Sequence, residues 1–313
     1  MQLTGIHHLT AITADAAGNN RFYTEIMGLR RVKKTVNQDD TSAYHLFFAD
    51  GAGTAGTDIT FFDWPTEREQ RGTNAITQTG LRIAESSLDF WAARLRDHGV
   101  DADAITMLDG RAGISLRDPE GQRLRLIAAP KPLGETWDHS TVPAEHQVQG
   151  LGPVTISVPE LAPTETALTQ ITHMRRLRDY PSPDGQGQVH VFGMGQQGAA
   201  AEFHVAVQPD LPRARQGAGG AHHVAFRVPD AVALTGWARH INSFRVPNSG
   251  EVDRFYFRSF YFREPGGVLI ELATDGPGFD VDEPREVMGQ SLSLPPFLEH
   301  KRDAITARLK PLD

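Results

Sequence analysis

The chain contains no cysteine, which excludes disulfide staples, thiolate nucleophiles and every metal site built on cysteine sulfur. No apolar run comes near the ~18 residues that crossing a bilayer requires, so a membrane role is not expected. Runs of Lys and Arg are missing too. With 39 acidic residues against 31 basic ones and a formal net charge of −8, neither nucleic acid nor an anionic membrane surface is an expected partner. The first residues enter a strand-like pattern at once, without the basic and apolar segments of a secretory leader. A cytoplasmic location is the resulting expectation. Hydrophobic and charged shares of 39% and 22% are those of an ordinary globular protein, and 313 residues are enough for about two domains' worth of core.

What the chain does have is a phrase that occurs twice. Gly5-Ile6-His7-His8-Leu9-Thr10 near the start returns as Gly220-Ala221-His222-His223-Val224-Ala225. Two weaker copies lie between them, Gln78-Thr79-Gly80-Leu81-Arg82-Ile83 and Pro153-Val154-Thr155-Ile156-Ser157-Val158. The four reference positions, 8, 78, 153 and 223, are 70, 75 and 70 residues apart. Regular internal repeats mark one structural unit used several times. Each copy reads as a strand, a helix and three further strands, so the expected fold class is α+β, four βαβββ units forming two cupped mixed sheets. In the first unit the helix spans 16–27 and stops at Gly28, with strands at 31–36, 43–49 and 58–62. In the second, Ser86-Ser87 is expected to cap a helix running through residue 96. The fourth has a helix at 232–242 and strands at 254–257, 260–263 and 268–272.

The domain reading is residues 1–130 with units at 5–63 and 72–130, a linker at 131–149, residues 150–275 with units at 150–209 and 219–275, and a Pro-rich tail at 276–313. A short helix at 297–309 is expected in that tail.

Repeat positions also select candidate metal ligands. The last strands of the four units place Thr60, Arg125, His204 and Glu271 at matched positions. Two histidines on separate strands plus one carboxylate make a set that leaves coordination positions open. Glu271 lies between Ile270 and Leu272, so it projects away from its apolar neighbours, and a carboxylate inside a cup needs a cation or a donor. If units pair in sequence order, the set is His204, His223 and Glu271. If the first unit pairs with the fourth, it is His8, His223 and Glu271. Spacing leaves both open. Strand alternation puts His222 and His223 on opposite faces unless a bulge intervenes. His45, His98, His139, His146, His173, His190, His240 and His300 have no repeat partner and read as surface or packing residues. The glycine-rich stretch at 217–220 precedes a strand rather than a helix, so phosphate binding is not expected there.

Phe22-Tyr23-Thr24-Glu25-Ile26-Met27-Gly28-Leu29 looks like the first-helix ending of the vicinal oxygen chelate superfamily. The stretch from Asp253-Arg254-Phe255-Tyr256-Phe257 through Tyr261-Phe262-Arg263-Glu264-Pro265-Gly266-Gly267-Val268-Leu269-Ile270-Glu271 is similar to the hydroquinone ring-cleaving dioxygenases within it. The resemblance covers nearly the whole chain. It implies the first unit paired with the fourth and His8, His223 and Glu271 as metal ligands. It also implies Thr10, His222, Arg254 and Tyr261 as residues beside the substrate and dioxygen, with His222 the acid–base candidate; His7 matches as well. The implied cofactor is Fe(II), with Mn, Zn or Ni as alternatives. The implied partners are a small hydroquinone- or catechol-like aromatic and O2, and self-association is left open. Two other functions fit the same scaffold, a glyoxalase-type isomerase or thiol transferase and a non-catalytic aromatic-binding protein. Thr60, a poor metal donor at the fourth ligand position, argues against the first of these.

Overall fold

A computed structural model describes residues 1–130, 134–185, 187–195 and 198–312. The expected linker 131–149 and tail 276–313 therefore fall partly outside the described residues. The four units are present. The first holds β1 (Ile6–Thr13), α1 (Ala16–Arg21), β2 (Arg30–Val36), β3 (Tyr44–Ala49) and β4 (Asp58–Asp63). The second holds β5 (Ala75–Ile83), α2 (Leu88–Asp97), β6 (Thr106–Leu108), β7 (Arg111–Arg117) and β8 (Arg123–Ala128). The third holds β9 (Leu151–Val158), α3 (Leu161–Thr166), β10 (Arg175–Pro181), β11 (Gln188–Gly193) and β12 (Glu202–Val207). The fourth holds β13 (Ala221–Val228), α4 (Ala231–Ser243), β14 (Asn248–Asp253), β15 (Phe257–Arg263) and β16 (Leu269–Pro277). Short helices α5 (Pro296–Glu299) and α6 (Arg302–Thr306) end the chain. No helix among the described residues is long and apolar enough to cross a membrane.

The strands form two eight-stranded sheets with orders β14-β15-β16-β13-β1-β4-β3-β2 and β10-β11-β12-β9-β5-β8-β7-β6. The first unit thus pairs with the fourth, through antiparallel β1 and β13, and the second with the third, through antiparallel β5 and β9. Alternation along each strand divides the side chains between core and cup. Leu9, Ala11, Val224 and Phe226 of the outer pair and Leu81, Val154 and Ile156 of the inner pair belong to one buried apolar cluster. Each of these Leu, Val, Ile and Phe side chains contributes about 1.5–3 kcal/mol when fully buried. His8, Thr10 and His223 line the cavity in the concave face of the first sheet.

Local details depart from the sequence reading in four places. The first helix changes to a π turn over Phe22–Ile26 before Gly28, whose φ of +68° ends it. A Cβ at Gly28 would come within 2.5 Å of Val142 Cγ2. Ser87 does not cap α2; its hydroxyl bonds His146 Nδ1 at 2.9 Å and the Glu145 carbonyl at 3.2 Å. Residues 254–256 are not a strand, and β15 begins only at Phe257. The strand is the polar β14 before them, and Asp253 Oδ1 accepts from Phe255 N–H at 2.8 Å, turning the chain where Phe255 has φ +70°. Aromatic β-propensity misled there, because an edge strand needs little apolar content. The tail helix is broken at His300 and Lys301 into α5 and α6.

The tail runs back along β2. Leu292 bridges to Lys34, and Leu294, Leu298 and Ile305 pack on Val36. Lys33, fully buried, forms ion pairs with Asp282 (2.7 Å) and Glu283. The two sheets are joined at Tyr23, whose hydroxyl lies 3.2 Å from Asp118 Oδ2, and at Glu120, which binds Ala14 N–H at 2.9 Å.

Because each sheet takes half its strands from each half of the chain, fragments 1–149 and 150–313 expressed separately should each lack cooperative unfolding. Co-expressed, they should restore it; a sharp thermal transition for either fragment alone contradicts this. A second expectation concerns Asp118. Burial raises its carboxyl to about 6 despite backbone N–H bonds from Gln122 and Glu120. The folded state therefore holds a proton that an unfolded aspartate releases near 3.8, and stability falls as pH rises through that interval, by up to about 3 kcal/mol. The stability advantage of wild type over Asp118→Asn in urea should shrink from pH 4 to pH 6; a pH-independent difference refutes it.

Candidate metal centre

The two His-His phrases sit opposite one another in the β1–β13 pair, and each contains a bulge. The register runs from Ile6↔Phe226 to His8↔Ala225 and from Thr10↔His223 to Ala11↔Ala221, so His7 on β1 and His222 on β13 are the extra residues. A bulge re-aims the side chain next to it. Strict alternation therefore fails here, and each pair of adjacent histidines meets through its rings. His7 Nδ1 is 2.9 Å from His8 Nδ1, and His222 Nδ1 is 2.7 Å from His223 Nδ1.

These contacts decide where the protons are. His7 Nε2 lies 3.0 Å from the Thr274 carbonyl, which can only accept, so that nitrogen carries the hydrogen. Burial, then the neighbouring His8, hold His7 neutral with a pKa of about 3. Its Nδ1 is then a lone pair, and His8 Nδ1 must donate to it. A neutral His8 is left with an unprotonated Nε2 aimed into the cup. His222 is likewise lowered to about 3, chiefly by burial and then by His223. A proton of His223 Nδ1 shared with His222 would leave the Nε2 of His223 as a lone pair too.

Glu271 completes the convergence. It lies on β16, which runs parallel to β13 in the register Ala225↔Glu271. Its Oε2 is 3.1 Å from His8 Nε2 and 2.9 Å from His223 Nε2, and the two imidazole nitrogens are 3.4 Å apart. All three side chains are buried. Ser259 Oγ donates to the other oxygen, Oε1, at 2.5 Å, whereas buried Oε2 has no aligned hydrogen-bond donor. Burial opposes ionisation of Glu271, and two bare imidazole nitrogens offer its Oε2 no proton in compensation. Three facing donor atoms repel one another unless a cation lies among them. Bonds of about 2.1 Å at right angles put donor atoms about 3.0 Å apart, close to the separations seen. The residues fit a divalent transition metal.

In front of these donors is a narrow cavity walled by Phe47, Phe62 and Phe257. Phe257 packs against both His7 and His8, with centroids 5.3 and 5.2 Å away. Tyr261 meets His223 edge-on at 5.7 Å, and its hydroxyl is 3.4 Å from Arg254 Nε. Burial, then Glu271, push the Tyr261 phenol above its usual range. At the mouth, Arg254 pairs with Asp39 at 2.9 Å, and Gln38 Nε2 donates to the Arg254 carbonyl. Thr10 Oγ1 is 3.0 Å from His223 Nε2 and 2.9 Å from Thr60 Oγ1. Of the sequence candidates, Thr10, Arg254 and Tyr261 line this cavity. His222 instead lines a separate depression with Glu69 and Arg263, and reaches the centre through His223.

His204, the alternative ligand, is on β12 in the other sheet. It groups with Asp109 and Glu202, but Arg111 and Arg178 already pair with those carboxylates. The sequence reading missed Ser259 and His45. A β-strand Ser two residues before Tyr261 carries no distinctive spacing. His45 has no repeat partner, although its neighbours Phe47 and Phe48 mark it as part of a cup wall.

Residues 5–126 and 150–272 each match the Glyoxalase/Bleomycin resistance protein/Dioxygenase superfamily. The chain belongs to this superfamily. It is 45% identical, over the full length of both chains, to a Bacillus subtilis (strain 168) protein named "Putative ring-cleaving dioxygenase MhqA". It is 28% identical to the chlorohydroquinone/hydroquinone 1,2-dioxygenase of Sphingobium indicum, over 97% of this chain and 95% of that one. A Bacillus subtilis crystal structure described as a "putative dioxygenase" superposes with a TM-score of 0.92 at 32% identity, covering 100% of this chain and 98% of the other. Glyoxalase I from Zea mays, at 14% identity and a TM-score of 0.66, shares the fold, with 87% of this chain and 92% of that one covered.

Because Ser259 fixes the free oxygen of Glu271, Ser259→Ala should weaken metal retention about 10- to 100-fold, as losing a ligand's hydrogen-bond partner does. Metal content after dialysis against graded chelator measures this, and unchanged retention refutes it.

Proposed function

We propose that this superfamily member is an Fe(II)-dependent ring-cleaving dioxygenase that opens a hydroquinone- or catechol-like ring with O2. The observation that carries the reading is the meeting of two imidazole lone pairs and one carboxylate oxygen at the inner end of an aromatic-walled cavity. Full-length similarity to a relative named as a ring-cleaving dioxygenase supports it. Two histidines and one carboxylate are the ligand set of non-haem iron oxygenases; Mn, Zn or Ni suits the same donors. Iron held by His8, His223 and Glu271 would acidify a phenol and gather ring and O2 at one centre.

The chain's own residues do the remaining work in this reading. Phe47, Phe62 and Phe257 exclude water and clamp a planar ring. Arg254 offsets the charge of a phenolate, and the Tyr261 hydroxyl, kept protonated, donates to an oxygen of the reacting ring. Thr10 orients a neighbouring oxygen through Oγ1. His7 and His222 are positioning residues that set the tautomers of His8 and His223, and an acid–base role for His222 gives way to that one. Thr60 already shares its hydroxyl with Thr10 and His45, which favours a three-ligand site over the four-ligand site of glyoxalase-type chemistry.

The test is anaerobic reconstitution with Fe(II), followed by oxygen uptake over a panel of hydroquinones and catechols. One O2 consumed per ring opened is expected, with Glu271→Gln losing bound iron and at least about 100-fold in turnover. Full turnover by Glu271→Gln, or no oxygen uptake across the panel, overturns the reading.

A further inference from the structure

One ring of the cavity wall is held in place by the C-terminal stretch of the chain. Tyr256 lines the cavity together with Phe47 and Phe257. Its backbone carbonyl accepts from Gly278 N–H at 2.9 Å, and its hydroxyl donates to Asp282 Oδ2 at 3.0 Å. Phe279 packs on the ring at 5.6 Å between centroids and lies 5.0 Å from Phe47. Residues 278–282 therefore grip Tyr256 at its backbone, along its ring and at its hydroxyl.

Lys33 on β2 fixes that grip. It has no access to water, and its Nζ meets Asp282 Oδ1 at 2.7 Å, Glu283 Oε2, and the face of the Tyr256 ring 4.8 Å from its centroid. Both oxygens of Asp282 are thus engaged, Oδ1 by Lys33 and Oδ2 by the Tyr256 hydroxyl and by Ser293 Oγ at 2.7 Å. A buried ion cluster is a poor source of net stability, because desolvation consumes most of the Coulomb gain. The tail has apolar anchors of its own, with Leu294, Leu298 and Ile305 packed on Val36. What the cluster supplies instead is register. A buried ammonium is satisfied only where both carboxylates reach it, and in that one position Asp282 also holds Tyr256.

We infer that Lys33 is a positioning residue for the cavity: its ion cluster with Asp282 and Glu283 holds Tyr256 as a preformed wall, so that affinity for a bound ring depends on a charge outside the cavity. Lys33 itself stands outside the cavity lining. This rests on the dioxygenase reading and adds a determinant of how that site holds its ring. A planar ligand gains most from a wall already in place, since a side chain ordered only on binding loses rotamer freedom at that moment. His8, His223 and Glu271 are carried by β1, β13 and β16, so their meeting does not depend on the cluster. Loosening the cluster should therefore weaken ring binding and leave the metal in place.

The experiment is anaerobic calorimetric titration of the Fe(II) protein with hydroquinone, for wild type, Lys33→Met, Tyr256→Leu and the double variant. Lys33→Met should keep its iron and bind hydroquinone about tenfold or more weakly. In oxygen uptake it should raise KM by about tenfold or more and lower kcat by less than about threefold, the pattern of lost ring binding rather than of a damaged centre. Once Tyr256→Leu has removed the ring, adding Lys33→Met should cost less than about twofold further, because its effect runs through that ring. Asp282→Asn keeps the shape of the cluster and should act in the same direction; it decides the matter where Lys33→Met does not fold. Wild-type affinity in these variants, an equal loss in both backgrounds, or loss of iron along with affinity overturns the assignment. In each of those cases oxygen uptake by wild type leaves the dioxygenase reading standing. A wild type that neither binds nor oxidises any dihydric ring sinks both.

Discussion

The antiparallel pairing of β1 with β13 is the constraint on which the rest of the structure depends. It brings His8 within 3.4 Å of His223 although 215 residues separate them in sequence. Closing so long a loop costs entropy, but the cost grows only with the logarithm of length. The nested order of the units reduces it further. Once β5 and β9 pair, the flanking units are held against one apolar cluster that already includes Leu9, Val224 and Phe226, and little freedom remains for β1 and β13 to lose. Sheet pairing and ligand convergence are therefore one event. His8, His223 and Glu271 cannot assemble in either half of the chain by itself.

The two cups show what the same frame does with different charges. In the first, a buried carboxylate faces two imidazole lone pairs and has only Ser259 on its other oxygen. In the second, Glu202 stands near His204 at 3.3 Å, yet Arg111 and Arg178 bind both its oxygens at 2.7–3.1 Å. The contact with His204 and then those guanidinium groups outweigh the effect of burial and hold the Glu202 carboxyl well below its usual range. Its charge is already compensated, so a cation would have to displace two arginines and would gain little. Arg178 and Arg111 also tie β10 and β7 to Asp109, in the turn after the edge strand β6, closing the cup that the first sheet leaves open. The difference in charge compensation between the cups follows from a handful of charged residues on a repeated backbone.

Much of this was legible in the sequence because it resides in repeated positions. The period of the four units exposed their number and their βαβββ element order, and the doubled His-His phrase with Glu271 pointed to side chains that the fold brings together. The choice between His8 and His204 was not legible from spacing, because both occupy positions that a sheet could bring beside His223; only the pairing of units separates them. Strand β14 was misread because Asn248-Ser249-Gly250-Glu251 has the composition of a loop, and the aromatic residues after it have that of a strand. Ser259 and His45 stayed hidden for another reason. Their importance comes from neighbours across the sheet, and no local pattern announces which small or polar residue will face a ligand.

The phrase His-His itself deserves a physical reading. On a regular strand two adjacent side chains point to opposite faces, and one of two buried histidines would be left in the apolar core with an unmet nitrogen. The bulges at His7 and His222 remove that conflict by turning each extra histidine toward its neighbour, so that the Nδ1 atoms meet; at His7, anchored to the Thr274 carbonyl, this leaves His8 Nε2 bare. A single histidine at the same place would be free to carry its proton on either nitrogen, and its Nε2–H tautomer would face Glu271 as a donor rather than as a lone pair. At His8 the second imidazole behind the first selects the tautomer whose Nε2 faces Glu271 as a lone pair. The repetition in the sequence is thus more than a trace of duplication. It records the same electrostatic requirement met once on each of the two strands whose pairing builds the centre.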